Sequence, residues 1–258
     1  MTTLNSPDLW LPHFPIPAAD GHKYHRGHLA ILGAPALTGA TRLAAGAGSR
    51  IGAGLVSVLS HDQVDVYRTS LPPDIMVASG PVDQLRRITA CLIGPGGYEA
   101  SRIEELLALN ANVPKVLDAD GLEIWNQIPH PAILTPHEGE FARTFPEITG
   151  TREARASEAA QCTQAAIVLK GPETVLADKD GRVVVNTHAS PWLAKAGTGD
   201  VLAGFIAGLV AQGMPHFEAA CAAVWIHGEA ARQIGPGLIA GDLIDVVPGI
   251  LSRLLTVS

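Results

Sequence analysis

Apolar and polar positions alternate along this chain in short blocks, each an apolar run of four to six residues that stops at a glycine or a polar residue. His28–Gly33, Leu55–Ser60, Ala90–Gly94, Pro114–Asp118, Ala132–Thr135 and Ala165–Lys170 read as buried strands. Between them, Gly39–Ile51 has the small-residue composition of a tightly packed helix, and Ser101–Leu109 has an amphipathic helical period. Thr174–Ala177 and Arg182–Asn186 flank Asp178-Lys-Asp-Gly181, a turn that predicts a β-hairpin. The last third predicts helices over Thr198–Gln212, His216–Gln233 and Asp242–Leu255, the last interrupted at Pro248. Residues 1–27, rich in Pro, His and Asp, are expected to form an irregular arm leading into the first strand.

Strands alternating with helices predict an α/β fold, a mostly parallel sheet with helices on both faces. In such a sheet ligands bind beyond the carboxyl ends of the strands. Those ends carry Gly33, Gly94-Pro-Gly-Gly97, Asp118-Ala-Asp120, Thr135-Pro-His-Glu-Gly-Glu140 and Lys170-Gly-Pro-Glu-Thr174, so the polar motifs share one rim. Without a linker or an internal repeat, 1–258 is expected to be a single domain.

Composition narrows the function classes. The 258 residues are 47% hydrophobic and 17% charged, which excludes a disordered chain. A net charge of −7 argues against broad nucleic-acid or anionic-membrane binding. The most apolar stretch, Val201–Ala211, is too short to span a bilayer, and no basic-then-apolar leader opens the chain. Cys91, Cys162 and Cys221 are scattered and unpaired in pattern, as expected of reduced thiols in a cytoplasmic protein.

The most informative stretch is Lys195-Ala-Gly-Thr-Gly-Asp200 and the helix after it. Glycines let backbone N–H groups converge, and a helix start adds free donors and the positive end of its dipole. A glycine turn with Asp200 as a helix cap explains the same residues without a ligand. The polar strand ends on the same rim favour phosphate binding, with Asp200 as a base beside the phosphoryl group. Lys170 and Thr174 read either as contacts to a nucleotide or as an ordinary solvated hairpin. Pro136 and the two glutamates suit a helix start, whereas His137 at the rim suggests a substrate contact. Gly94–Gly97 offers backbone N–H groups or simply a tight turn. Asp118 and Asp120 either orient substrate or a solvated metal, or cap the next helix. Thr38–Ala45 either admits a flat ligand or packs tightly on the sheet. His22, His25 and His28 lack the carboxylates or thiols of a metal site and are expected in a solvated loop.

Taken together, Leu134-Thr-Pro-His-Glu-Gly-Glu-Phe141, Leu169-Lys-Gly-Pro-Glu-Thr174 and Gly197-Thr-Gly-Asp-Val-Leu-Ala-Gly204 resemble the ADP/ATP-dependent NAD(P)H-hydrate dehydratases of the ribokinase-like superfamily. The resemblance runs over nearly the whole chain, from His22-Lys23 and Gly39-Ala40 onward. It implies a ribokinase-like fold and Asp200 as catalytic base. It implies that Ala40, Gly96, His137 and Asp200 contact hydrated NADH or NADPH. Lys170, Gly171, Pro172, Glu173 and Thr174, with Gly197, Thr198 and Gly199, are implied to hold ADP or ATP. Mg²⁺ is expected with the nucleotide, without a metal cage made by protein alone. The resemblance further implies a cytoplasmic homotetramer working beside a separate NAD(P)H-hydrate epimerase, with no epimerase domain in this chain. The sequence departs from the family pattern at Ala196, at Ser190-Pro-Trp-Leu-Ala194 and at Gly97-Tyr98. The competing readings are a small-molecule kinase of the same superfamily acting on a vitamin precursor, and a nucleotide-binding regulatory module without catalysis.

Overall fold

The computed structural model describes residues 3–80, 85, 87–108, 112–128 and 131–256. One ten-stranded sheet forms its centre. In chain order its strands are β1 (Thr3–Leu4), β2 (His28–Leu32), β3 (Leu55–Leu59), β4 (Ile75–Ala78), β5 (Ala90–Ile93), β6 (Lys115–Leu117), β7 (Pro131–Leu134), β8 (Ala166–Leu169), β9 (Thr174–Ala177) and β10 (Val183–Asn186). Their spatial order is β1-β10-β9-β8-β7-β6-β5-β2-β3-β4. Only β9 runs against the others; β8 through β4 form an unbroken parallel block. The tails of β2, β5, β6, β7 and β8 therefore end on one edge, which brings Gly33, Gly94, Asp118, Thr135 and Lys170 to a common rim.

The helices are α1 (Pro7–Trp10), α2 (Thr38–Arg50), α3 (Val64–Ser70), α4 (Ala100–Ala108), α5 (Glu138–Thr144), α6 (Arg152–Thr163), α7 (Thr198–Ala211), α8 (His216–Ile234) and α9 (Ala240–Leu255). Side chains alternate across each strand, so both faces of the sheet are covered. Leu29, Ile31, Val58, Leu92, Ile133 and Val168 meet α2, α7 and α8 on one face. Ala30, Leu32, Ile93, Leu117, Leu134 and Ile167 meet α5 and α6 on the other. α7 is enclosed almost all round, every residue from Val201 to Ala211 being buried, which explains why it is apolar on every side.

α2 and α7 lie side by side through small residues. A Cβ added to Gly204 would fall 2.3 Å from the Ala44 carbonyl oxygen, and one added to Gly208 would fall 2.8 Å from that of Gly48. The paired numbers rise together, so the two helices run parallel and their N-termini sit next to each other. A Cβ on Gly197 would meet Leu43 Cδ1 at 2.7 Å, so the start of α7 also touches α2.

Several elements differ from those read in the sequence. The arm is only partly irregular: β1 pairs with β10, and Trp10 is fully buried against Phe14 and Trp225. Asn5 donates to Asn186 Oδ1 (2.9 Å) and to the Cys221 carbonyl (2.8 Å), tying that arm to the sheet and to α8. β4 and α3 escape the hydrophobic pattern because each is a short element without a buried stripe. α6 escapes it because its buried face is Ala156, Ala159 and Ala160 in a charged sequence. α9 runs through Pro248 without a break, held by Leu243, Val247 and Ile250 in the core. His28 leaves its histidine neighbours; it is buried in β2, its Nε2 2.8 Å from Ser57 Oγ. The predicted helix Ser101–Leu109 is α4, and Leu109 lies outside the described residues.

The seam sets a stability expectation. Overpacking costs about 1–3 kcal/mol, against a gain of about 1 kcal/mol in helix propensity when Gly becomes Ala. Gly204→Ala should thus lower the thermal midpoint by a few degrees. An unchanged or higher midpoint in a melting experiment would mean that the helices do not touch there.

Candidate active site

The site is assembled where α7 starts, opposite the tails of β6, β7 and β8. Gly197 caps α7 with φ +92°, a left-handed conformation that suits glycine. Thr198 Oγ donates back to the Leu193 and Lys195 carbonyls (2.8 and 2.9 Å), which clamps the preceding loop. The Val201 N–H bonds the Gly197 carbonyl at 3.2 Å, and among the described residues the N–H groups of Gly199 and Asp200 have no such partner outside the helix. Two free donors at a helix start form an anion site.

Lys170 faces this turn. Its Nζ would lie 3.7 Å from a Cβ placed on Gly199. It is fixed from the other side by Asp118 Oδ1 at 2.8 Å, with Glu140 Oε2 at 3.6 Å. Thr135 Oγ donates to the same Asp118 oxygen at 2.6 Å. The Lys170 N–H donates to the Pro136 carbonyl at 2.8 Å, so the β7 and β8 motifs are stitched together through the backbone. Burial by itself would lower the ammonium's pKa, but Asp118, Glu140 and Asp200 raise it above the usual lysine value. Lys170 is therefore a permanent cation.

Asp200 sits in the first turn of α7. Burial first, and then the Asp118 and Glu140 charges, push its carboxyl up to about 6, with Lys170 offsetting part of the rise. A carboxylate held there ionises near neutrality, the range in which a general base works best.

His137 caps α5: its Nδ1 accepts the Glu140 N–H (3.0 Å), while Glu140 Oε2 accepts the His137 N–H (2.7 Å). The histidine ring is thus used structurally at one nitrogen and half-exposed at the other side, with Nε2 3.4 Å from Glu140 Oε1. Ala40 and Gly96 meet across the rim. A Cβ on Gly96, which has φ +77°, would fall 2.9 Å from that of Ala40 and 2.4 Å from the Leu37 carbonyl. Thr41 Oγ holds the two loops together, accepting from the Ala34 N–H (3.0 Å) and donating to the Pro95 carbonyl (3.1 Å).

On the β8–β9 side of Lys170 lies a cavity of ≈ 570 Å³. Lys170, Gly171, Pro172, Thr174, Thr198 and Gly199 contribute to its wall, as do Ser190, Pro191, Leu193 and Ala194 from the segment that departs from the family pattern. Not every predicted residue lines it. Gly197 shapes the turn, and Glu173 contributes a carbonyl that Arg152 binds at 2.6 Å, its side chain being exposed.

Two residues at the site gave no signal that was read from the sequence. Arg152 also donates to the Leu169 (2.9 Å) and Lys170 (3.1 Å) carbonyls and packs where a Cβ on Gly171 would lie, so it sets the shape of the Lys170–Thr174 loop. His227 is buried, lines the cavity and donates from Nε2 to the Thr198 carbonyl at 2.9 Å. Burial lowers its pKa to about 4, so the imidazole is neutral. A lone histidine in the alanine-rich run of α8 was the available clue. Among the described residues no group of three or more His, Cys, Asp or Glu could enclose a metal ion.

Comparison with known proteins gives this arrangement a context. The family model for NAD(P)H-hydrate dehydratase matches residues 28–243. The ADP-dependent (S)-NAD(P)H-hydrate dehydratase of Neisseria meningitidis is 34% identical over 95% of this chain and 92% of its own length. The bifunctional NAD(P)H-hydrate repair enzyme of Moorella thermoacetica is 38% identical over 92% of this chain and 51% of its own length. The chain thus spans about half the length of the bifunctional relatives it matches. The ADP/ATP-dependent NAD(P)H-hydrate dehydratase of Bacillus subtilis, crystallised with ATP and Mg²⁺, superposes with a TM-score of 0.84, 29% identity and coverage of 98% and 99%. A ribokinase-like superfamily protein of Enterococcus faecalis shares the fold at 23% identity and a TM-score of 0.85, over 98% of this chain and 96% of its own.

Asp200 has a stability signature of its own. Its native pKa of about 6 stands above the ordinary 3.8, so between those values the folded state binds more protons and stability falls as pH rises. The cost is complete above about pH 6 and absent below about pH 4. In protein free of nucleotide and divalent ions, Asp200→Asn should melt a few degrees higher than wild type at pH 8, the difference closing toward pH 4. A difference independent of pH would show that the carboxyl is not perturbed.

Proposed function

This chain belongs to the NAD(P)H-hydrate dehydratase family, and on that premise we propose that it returns hydrated NADH or NADPH to NADH or NADPH at the expense of ADP or ATP. The observation that carries this reading is the convergence of Asp200, Lys170 and the open start of α7 at one end of a nucleotide-sized cavity. The entire chain acts as one ribokinase-like domain.

The hydrate carries a hydroxyl on a saturated ring carbon, and hydroxide is a poor leaving group at neutral pH. Asp200 accepts the hydroxyl proton as its oxygen takes the terminal phosphoryl group of the nucleotide. The N–H groups at the start of α7, with Gly197 and Thr198 shaping the turn, stabilise the charge on the phosphoryl in flight. Phosphate then departs with the C–O bonding pair, driven by the ring nitrogen's lone pair, and loss of a proton from the adjacent ring carbon restores the double bond. The products are the reduced dinucleotide, phosphate, and AMP or ADP. Ala40, Gly96 and His137 bind the hydrate; Lys170 to Thr174, Thr198 and Gly199 bind the nucleotide.

The charges at the site call for a cation that accompanies the nucleotide. Lys170 is one positive group beside three carboxylates, Asp118, Glu140 and Asp200, which together would repel a polyphosphate. Asp118 and Glu140 are hard oxygen donors of the kind Mg²⁺ takes one or two of, filling its shell with water and phosphate. They would hold the ion, which neutralises phosphate charge.

Water added to the ring gives two epimers, and an enzyme selective for one of them works beside a separate NAD(P)H-hydrate epimerase. No helix among the described residues is long and apolar enough to cross a membrane. The reading has the enzyme in the cytoplasm, assembled as a homotetramer.

The decisive assay supplies hydrated NADH with ADP, then with ATP, and follows the absorbance of reduced nicotinamide together with phosphate release. Recovery of both is expected. A stable phosphorylated product would instead indicate a kinase, and binding without turnover a regulatory module. Asp200→Asn should abolish turnover, by roughly 100-fold or more, while nucleotide still binds; near-normal rates would overturn the assignment of the base. Lys170→Ala should raise the KM for nucleotide by about tenfold or more, and an unchanged nucleotide dependence would remove Lys170 from that role.

A further inference from the structure

The loop between β10 and α7 forms one wall of the ≈ 570 Å³ cavity, and its fastening lies outside that cavity. β10 ends at Asn186, and the chain then crosses to α7 with a single short turn of helix at Pro191–Leu193. Thr187 and Ala189 line the cavity, whereas the His188 side chain between them turns to α8. A bond from the Ala189 N–H to the Thr187 carbonyl, 3.1 Å long, closes the tight turn that exposes it to that helix. The imidazole stacks on Trp225, with centroids 4.6 Å apart and planes 8° from parallel. Its Nε2 lies 2.9 Å from Glu229 Oε2, and a carboxylate only accepts, so the imidazole donates. Both partners are themselves braced: Trp225 packs on Trp10 with centroids 5.9 Å apart, and Glu229 Oε1 accepts from Gln233 at 2.8 Å. The backbone of His188 is held as well. Asn186 Nδ2 donates to its carbonyl at 3.0 Å, and a Cβ on Gly228 would overlap the same oxygen. Trp225, Gly228 and Glu229 stand at i, i+3 and i+4, so one face of α8 receives the whole turn.

The loop is thus tied at both ends. At its far end Thr198 Oγ holds the Leu193 and Lys195 carbonyls against α7, and at its near end His188 is docked on α8. Trp225 and Glu229 stand outside the cavity wall, so their hold on His188 reaches a ligand only through the shape of the loop. A loop tied at one end alone samples many conformations, and a ligand that needs one of them must order it on binding, at a cost in affinity. Resting on the dehydratase reading, we propose that His188 is a positioning residue for the phosphoryl donor: docked between Trp225 and Glu229, it holds the Thr187–Ala194 wall in the shape that receives ADP or ATP.

Two measurements on the full chain test this: calorimetric titration with ADP and with ATP in the presence of Mg²⁺, and steady-state kinetics with hydrated NADH. His188→Ala should raise the Kd and the KM for nucleotide about tenfold, with kcat at saturating nucleotide and the KM for the hydrate little changed. Glu229→Ala should weaken nucleotide binding in the same selective way. Adding it to His188→Ala should cost nothing more, because the two side chains act through one contact. Unchanged nucleotide affinity in His188→Ala, or losses that simply add in the double variant, would overturn the role of His188 and leave the dehydratase reading standing. A parallel fall in kcat and in hydrate affinity would do the same, since a general loss of structure moves all three. If the wild type dehydrates the hydrate with neither nucleotide, the dehydratase reading fails and this inference with it. Should His188→Ala not fold, Glu229→Ala alone must show the selective loss or the proposal falls.

Discussion

The contact of α2 with α7 is the constraint on which the rest of the site depends. Gly48, Gly204 and Gly208 remove the side chains that would hold the helices apart, so backbone approaches backbone along a parallel seam. Two parallel helices packed this closely end together. Their N-termini therefore deliver Ala40 and the Gly197–Asp200 turn to the same spot on the rim, with the positive ends of both dipoles directed there. α7 can hold that position because it is the most enclosed helix of the structure, with sheet on one side and helices on the others.

Against this rigid frame Lys170 stands beside three carboxylates, Asp118, Glu140 and Asp200. Each of them costs stability when dehydrated, and the arrangement is tolerable because Lys170 is shared: Asp118 holds it directly, Glu140 sits slightly farther away, and Asp200 feels it through space. The excess of negative charge raises the Asp200 pKa to near neutrality, which destabilises the folded protein and suits a base. Strain of this kind at a functional position is offset by packing elsewhere, here by a core in which α7 has no exposed face between Val201 and Ala211.

The same charges separate the two ends of the site. On the β8–β9 side, hydroxyls, glycines and a neutral His227 line a cavity that is mostly apolar around a single lysine. On the α2–α9 side Arg26, Arg42 and Arg50 line a second cleft, without side-chain partners among the described residues.

Much of this was legible in the residues themselves. Short apolar strands ending in glycine, aspartate or lysine give the α/β class, because alternation of buried and polar blocks is a local property. The same blocks put the polar motifs on one rim, since parallel strands all end on one edge. Gly197 to Asp200 stands out as a glycine turn that opens a helix, because turn chemistry is likewise local. What lay outside that reading depended on contacts between distant segments. Arg152 gains its role only when α6 packs beside the β8–β9 loop, and His227 only when α8 brings it to the Thr198 carbonyl. The docking of Trp10 and the continuity of α9 through Pro248 likewise arise from tertiary packing. The sequence by itself determined the layers, the rim and the glycine turn that carries Asp200, because period and turn chemistry are written in neighbouring residues. Tertiary structure decided the raised pKa of Asp200, the shape of the clefts and the partners of Lys170, because burial and electrostatic pairing exist only once the chain has closed on itself.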